Sequence, residues 1–251
     1  MISISDLITK SWDFYRKNFK LLLPVLGIMF AISAAETIAR SFWSATGSFL
    51  RVSTINFFIA LPFYVAMLWI TVALVELLAR GVKGEKIDLE NLYSIALQKL
   101  PMALLVSIIV GAAVIGGTIL LVIPGIIFAV WFHFTIYNYL LEGKTKLEAL
   151  KESKILVKGR WWPVFLRIVL VNLFWGLISA AIISLASTLI RLPFGDITKI
   201  AGGKLLTFQM TLAFVSDIFF TLTTPLILLG TLLLFFNLRE TRSLTVAAPK
   251  E

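Results

Sequence analysis

Long apolar segments alternate along the chain with shorter polar segments that are rich in lysine and arginine. The apolar segments have the roughly 20 residues that an α-helix needs to cross the hydrocarbon core of a bilayer. The predicted spans cover approximately residues 21–39, 52–78, 101–120, 124–141, 164–189 and 214–238. The pattern therefore predicts an all-α integral membrane protein with about six transmembrane helices, in a single membrane domain over residues 1–251.

Composition supports a membrane protein and narrows the classes of partner. Apolar residues make up 59% of the chain and charged residues 15%, whereas a soluble domain has about 45–50% and about 25%. The net charge is +9, but the cations border apolar spans, so we expect anionic lipid headgroups and not nucleic acid as the partner. The chain has no cysteine, which excludes disulfides, thiolate nucleophiles and thiolate metal sites.

The distribution of positive charge predicts the orientation of the spans. If the spans simply alternate, 18 of the 23 lysines and arginines fall on the side that holds both termini. The other side keeps Arg40, Arg51, Arg191, Lys199 and Lys204. Cationic loops stay in the cytoplasm during insertion. We therefore expect both termini to be cytoplasmic, in a multi-pass protein of the inner, or cytoplasmic, membrane.

A short amphipathic pattern recurs on the predicted cytoplasmic side. Leu7, Ile8, Ser11, Tyr15 and Phe19 recur 142 positions later as Ala149, Leu150, Ser153, Val157 and Trp161, and Leu89, Leu92, Ala96 and Leu100 form a weaker third copy. Each set lies on one face of a helix. The repeat predicts three units, each an amphipathic cytoplasmic helix (residues 5–19, 88–99 and 146–160) followed by a two-span hairpin. Such repeats can build a central site or arise by duplication for stability alone.

Three carboxylates fall inside apolar segments, where charge is costly and marks candidate ligand or ion sites. Glu36 and Glu76 each have an arginine four residues later, Arg40 and Arg80, which is a favourable helical pairing that explains them without a function. Asp217 has no such partner nearby in the sequence. It is therefore the strongest of the three candidates for a proton, cation or headgroup site.

Two further polar side chains lie in the fourth predicted span. His133 is the only histidine, and a lone imidazole without companion ligands does not indicate a metal site, so no metal is expected. Asn138 suits either a ligand site or the usual hydrogen bond between membrane helices. We keep both as ligand candidates and expect no cofactor.

The run from residue 144 to residue 162 is the sharpest local feature. It places basic residues beside two tryptophans, a combination typical of an interfacial helix on anionic headgroups. The predicted lipid or partner surface consists of Lys151, Lys154, Lys158, Arg160, Trp161 and Trp162. The alternative is a generic topology determinant.

Three motifs in the same region resemble a known family. They are Ile123-Pro124-Gly125-Ile126-Ile127, Glu148-Ala149-Leu150-Lys151-Glu152-Ser153 and Lys158-Gly159-Arg160-Trp161-Trp162-Pro163-Val164-Phe165. Their order resembles the membrane domain found beside glycerophosphodiester phosphodiesterases and its stand-alone, uncharacterised prokaryotic relatives; residues 11–19 and 234–239 fit as well. The resemblance implies a six-span prokaryotic membrane protein. It does not imply the phosphodiesterase reaction, which belongs to a separate soluble barrel domain.

The sequence contains no phosphate-binding loop and no nucleophile elbow. We therefore expect a non-enzymatic accessory or envelope-homeostasis protein that contacts anionic lipid, a protein partner or a second copy of itself. The alternative is a transporter or lipid-handling permease with a site between helix repeats, near Asp217, His133 and Asn138. A lipid-acting enzyme using Asp217 or His133 is a third possibility.

Overall fold

The computed structural model describes residues 1–44, 49–192 and 203–247, and within them the chain is helical with no strand. The helices are α1 (Ile4–Ser44), α2 (Phe49–Lys83), α3 (Leu89–Leu120), α4 (Val122–Trp131), α5 (Thr135–Glu142), α6 (Lys146–Val157), α7 (Trp161–Arg191) and α8 (Gly203–Ala247). Six helical segments are long and apolar enough to cross a membrane. They are Ile4–Ser41, Ser53–Lys83, Leu89–Leu120, Val122–Glu142, Trp161–Arg191 and Thr207–Leu244. The prediction of an all-α polytopic membrane protein is confirmed.

Two of the three predicted amphipathic helices are not separate elements. Residues 5–19 form the first half of α1, which continues without a break for 41 residues, and residues 88–99 lead into α3. Only the third copy is a separate helix, because the chain turns sharply at Gly159, whose φ of +81° favours glycine. The other two copies have no such turn, so the helix continues from the amphipathic segment into the span.

The fourth predicted span consists of two helices. The turn between α4 and α5 contains Phe132, His133 and Phe134. Ser153 of α6 stabilises this turn: its hydroxyl donates to the carbonyl of Trp131 (2.7 Å) and accepts from the backbone N–H of Phe134 (3.1 Å). A side chain from another helix thus satisfies backbone groups that a helix break leaves free.

The connection between α3 and α4 is a single residue, Leu121. It is this tight because Gly117 and Gly125 let the two helices touch: a Cβ on Gly125 would lie 2.1 Å from the Thr118 hydroxyl oxygen. The tip of the hairpin is apolar and exposed, since Ile119, Leu121 and their neighbours point away from the described helices. Within the described residues, neighbouring helices do not shield this turn.

The apolar faces of the repeated segments point into the protein. Leu7 and Ser11 of α1, Leu92 of α3, and Ala149 and Ser153 of α6 are all fully buried. Helix α8 packs against α1, α2, α6 and α7 and forms the centre of the bundle. Most apolar side chains of α6 therefore pack against the bundle, and its other face, which includes exposed Leu147 and Ile155, is free to contact a ligand.

Candidate functional site

The free face of α6 carries three lysines together with the exposed apolar side chains of Leu147 and Ile155. Lys151, Lys154 and Lys158 are exposed and follow one another at spacings of three and four residues, which places them along one side of the helix. These three side chains form the basic stripe of α6. The α6 residues on the opposite face are buried against the bundle, so the fold fixes the direction in which the stripe points.

The carboxylates of α6 are paired with other partners. Glu148 accepts a hydrogen bond from Lys144 at 2.7 Å, and Glu152 accepts one from Arg242 of α8 at 2.7 Å. The described ion pairs include none of the three stripe lysines. Lys154 instead lies over the indole ring of Trp131, with its ammonium 4.2 Å from the ring centroid, and this contact holds the ammonium beside α4.

Arg160 is not part of the basic stripe, because its guanidinium bonds to neighbouring helices. The Arg160 guanidinium donates to the Thr241 hydroxyl at 2.7 Å and to the carbonyls of Leu238 and Leu156 at 3.0 and 3.1 Å. Burial lowers the pKa of Arg160 from its ordinary value, and the Arg242 guanidinium lowers it further. Its donors hold the end of α8 against the α6–α7 turn, so a fixed guanidinium occupies the position where we expected a lipid contact.

The two tryptophans at the start of α7 have different roles. Trp161 is half-buried, and its ring stacks on Phe165 with centroids 5.0 Å apart. Trp162 meets Trp161 edge-on at 4.8 Å and is 66% exposed. The Trp161 ring is therefore held in place by its neighbours, whereas the exposed Trp162 is free to contact lipid at the interfacial depth that aromatic rings favour.

A surface groove of about 710 Å³ lies between α4 and α7, beside the basic stripe. It is named the α4–α7 groove and is lined by Ile123, Ile126, Ile127, Trp131, Val157, Lys158, Gly159, Trp161, Trp162 and Phe165. Eight of these ten side chains are aliphatic or aromatic, and Lys158 is the only charged one. Sequence reasoning found the cations but missed the groove, because its α4 wall is 30 or more residues away from α7 in the chain.

Glu76 is buried in an ion pair that the sequence did not reveal. Its carboxylate lies 2.5 Å from the Lys99 ammonium, which also donates to the carbonyl of Leu140 at 2.7 Å. The Tyr139 hydroxyl donates to the Lys99 carbonyl at 2.9 Å. The expected partner, Arg80, is farther away at 4.0 Å. The network joins α2, α3 and α5, so Glu76 stabilises the packing of these helices.

Asp217 of α8 and Glu36 of α1 each have a partner in the C-terminal part of α1. Thr37 of α1 donates its hydroxyl to Asp217 of α8 at 3.0 Å. In the same turn of α1, Glu36 pairs with Arg40, as the sequence spacing indicated. Asp217 is thus a hydrogen-bonded contact between the first and last helices.

His133 and Asn138 occupy two further, separate environments. The His133 ring lies edge-on to Phe134 at 5.2 Å, and its buried Nε2 has no hydrogen-bond partner among the described residues. Asn138 is buried and donates to the carbonyl of Ala149, joining α5 to α6 at 3.4 Å. No hydrogen bond connects Asp217, His133 and Asn138 within the described part of the chain. There, too, no group of three or more histidine or acidic side chains could hold a metal ion.

Comparison with protein-family models, with curated proteins and with solved structures found no match to this chain. The resemblance to the membrane domain beside glycerophosphodiester phosphodiesterases therefore stays a prediction. The geometry of the site is what supports a function.

Proposed function

We propose that this polytopic membrane protein is a non-enzymatic accessory protein of the cytoplasmic membrane that binds anionic lipid headgroups through its basic stripe. The observation that carries the proposal is the arrangement of charge on α6. Three exposed lysines point away from the bundle, while both acidic residues of the helix are paired elsewhere. A cationic surface of this kind at the edge of apolar spans attracts anionic lipid by about 1 kcal/mol per lysine.

The orientation of the site supports the same proposal. The stripe belongs to the side of the protein that carries 18 of the 23 basic residues when the spans alternate. That side is cytoplasmic by the positive-inside rule, and the cytoplasmic leaflet is the one with a negative surface potential. The proposed contact therefore pairs the basic side of the protein with an anionic leaflet.

The test is lipid enrichment around the full-length protein in nanodiscs of phosphatidylglycerol and phosphatidylcholine in equal amounts. We expect the wild type to enrich phosphatidylglycerol and the triple variant Lys151→Gln, Lys154→Gln, Lys158→Gln to lose most of that preference. The matched control neutralises three exposed lysines of α1, Lys10, Lys17 and Lys20, which changes the net charge equally.

An equal loss in both triple variants would mean that net charge alone drives enrichment, and the basic stripe would have no special role. An unchanged preference in the α6 variant would overturn the proposal outright. Turnover of a lipid by the purified protein alone would contradict the non-enzymatic part.

A further inference from the structure

The α4–α7 groove is preformed by aromatic side chains that brace one another. Trp161 lies almost parallel to Phe165, at an interplanar angle of 9°, and Trp162 stands nearly perpendicular to Trp161 at 89°. Rings packed in this way lose little conformational freedom when a ligand binds. The volume of about 710 Å³ is within the range of about 300–1,000 Å³ that is typical of small-molecule sites.

The position of the groove indicates a hydrocarbon occupant. Its α4 rim carries Ile123 and Ile126, which are 70% and 42% exposed. Both rims belong to segments apolar enough to cross a membrane, Val122–Glu142 and Trp161–Arg191. In a bilayer such a concave apolar surface faces acyl chains, not water.

Cations lie at one end of this apolar surface. Lys158 lines the groove directly, and Lys154 is held over the ring of Trp131, which is itself a groove wall. Gly159 lies between Lys158 and the start of α7 and presents no side chain there. A ligand that fits this arrangement has a long apolar chain and an anionic group at one end.

We propose that the α4–α7 groove is a discrete site for one anionic phospholipid, whose acyl chain lies in the groove and whose phosphate is bound by Lys158. The proposal rests on the proposed function and narrows it from a charged surface to a single bound lipid. Lys154 supplies the second cation for the phosphate. Lys151 is exposed on the same helix but does not line the groove, so it contributes only to the positive electrostatic potential around the groove.

The experiment is native mass spectrometry of the full-length protein released from nanodiscs of phosphatidylglycerol and phosphatidylcholine in equal amounts. We expect the wild type to retain one phosphatidylglycerol at a fixed ratio of one to one. Lys158→Gln should lower the abundance of that species about fivefold, the effect of one lysine near a lipid phosphate. Lys151→Gln is the matched control and should lower it clearly less than Lys158→Gln does, because Lys151 does not line the groove.

A second variant tests the apolar half of the site. Ile127→Trp adds an indole ring to a half-buried position in the groove wall and should remove the one-to-one species without changing the charge of the protein. Circular dichroism checks that this variant is folded. If it does not fold, the comparison of Lys158→Gln with Lys151→Gln decides alone.

The outcomes separate the discrete site from the proposed function. Equal losses in Lys158→Gln and Lys151→Gln, or the absence of a one-to-one species in the wild type, would overturn the discrete site while leaving the charged surface intact. Equal retention of phosphatidylcholine would overturn the role of Lys158. Failure of the triple α6 variant to change phosphatidylglycerol enrichment would overturn both proposals.

Discussion

Replacing Lys99 with methionine removes the cation that neutralises the buried carboxylate of Glu76. The Glu76 side chain is 7% exposed, and its nearest remaining cation would be Arg80, at 4.0 Å. Breaking a buried ion pair by removing one partner costs about 3–5 kcal/mol, because the other charge stays buried without compensation. We expect the low end, about 3 kcal/mol, since Arg80 supplies part of the compensation and the Lys99 side chain is itself 31% exposed.

The double variant Glu76→Leu, Lys99→Met should cost far less than Lys99→Met alone. Both charges are then gone, and apolar side chains of similar volume replace them, which is close to neutral in buried pairs. The coupling free energy between the two positions should therefore be about 2–3 kcal/mol in favour of the pair. The matched control is Arg40→Met in the more exposed pair with Glu36, which should cost about 0.5 kcal/mol.

The assay is unfolding of the purified full-length protein in mixed micelles with increasing dodecyl sulfate, followed by far-ultraviolet circular dichroism. The free energies of unfolding of the wild type, Lys99→Met, Glu76→Leu and the double variant give the coupling directly. If Lys99→Met unfolds within about 0.5 kcal/mol of the wild type, or no more easily than Arg40→Met, the pair does not hold α2, α3 and α5 together.

Three further changes test individual contacts. Ser153→Ala should lower the free energy of unfolding by about 1–2 kcal/mol, because two hydrogen bonds at the α4–α5 turn are lost. Ser11→Ala should cost less than half as much in the same micelle assay, because among the described residues the Ser11 hydroxyl bonds only the Leu7 carbonyl of its own helix. Arg160→Gln should lower it by about 2 kcal/mol through the lost charged hydrogen bonds, whereas exposed Lys158→Gln should leave the unfolding curve unchanged. Asp217→Asn keeps an oxygen that accepts from Thr37, so stability and the lipids seen by native mass spectrometry should match the wild type; loss of a small molecule that the wild type retains would instead favour a permease.

The spans could be predicted from the sequence because length and hydropathy decide them almost alone. The boundaries between helices could not. Residues 5–19 and 21–39 were predicted as an amphipathic helix followed by a span, yet α1 runs through both from Ile4 to Ser44, because neither Lys20 nor Pro24 stops the helix. A charged residue marks where a helix leaves the hydrocarbon, not where its backbone hydrogen bonds end.

The break between α4 and α5 had no local signal. Phe132, His133 and Phe134 include neither glycine nor proline, the residues that normally mark a break. The turn is held by Ser153, which lies 19 residues after Phe134 and acts from another helix. The pairing of Glu76 with Lys99 was hidden for the same reason, since a separation of 23 residues and a different helix are invisible to helical spacing rules.

The repeat, in contrast, predicted which side chains share a helix face but not what packs against that face. Ser11 and Ser153 occupy equivalent positions and are both fully buried. Ser11 bonds its own helix, whereas Ser153 bonds the α4–α5 turn. The same pattern thus gave an inward face in both copies, and tertiary contacts gave the second copy its additional role.

The basic residues near the start of α7 show why charge counting identifies a side of the membrane but not a binding site. The positive-inside rule gives every lysine and arginine the same weight. In the structure, the Arg160 guanidinium donates hydrogen bonds to α8 and to the preceding turn. Lys158, two residues earlier, is exposed at the groove. Neutralising both together would mix a loss of stability with a loss of lipid binding. The charge-removing variants that test lipid binding therefore change lysines alone, and a change in lipid retention at constant stability can be assigned to the ligand contact.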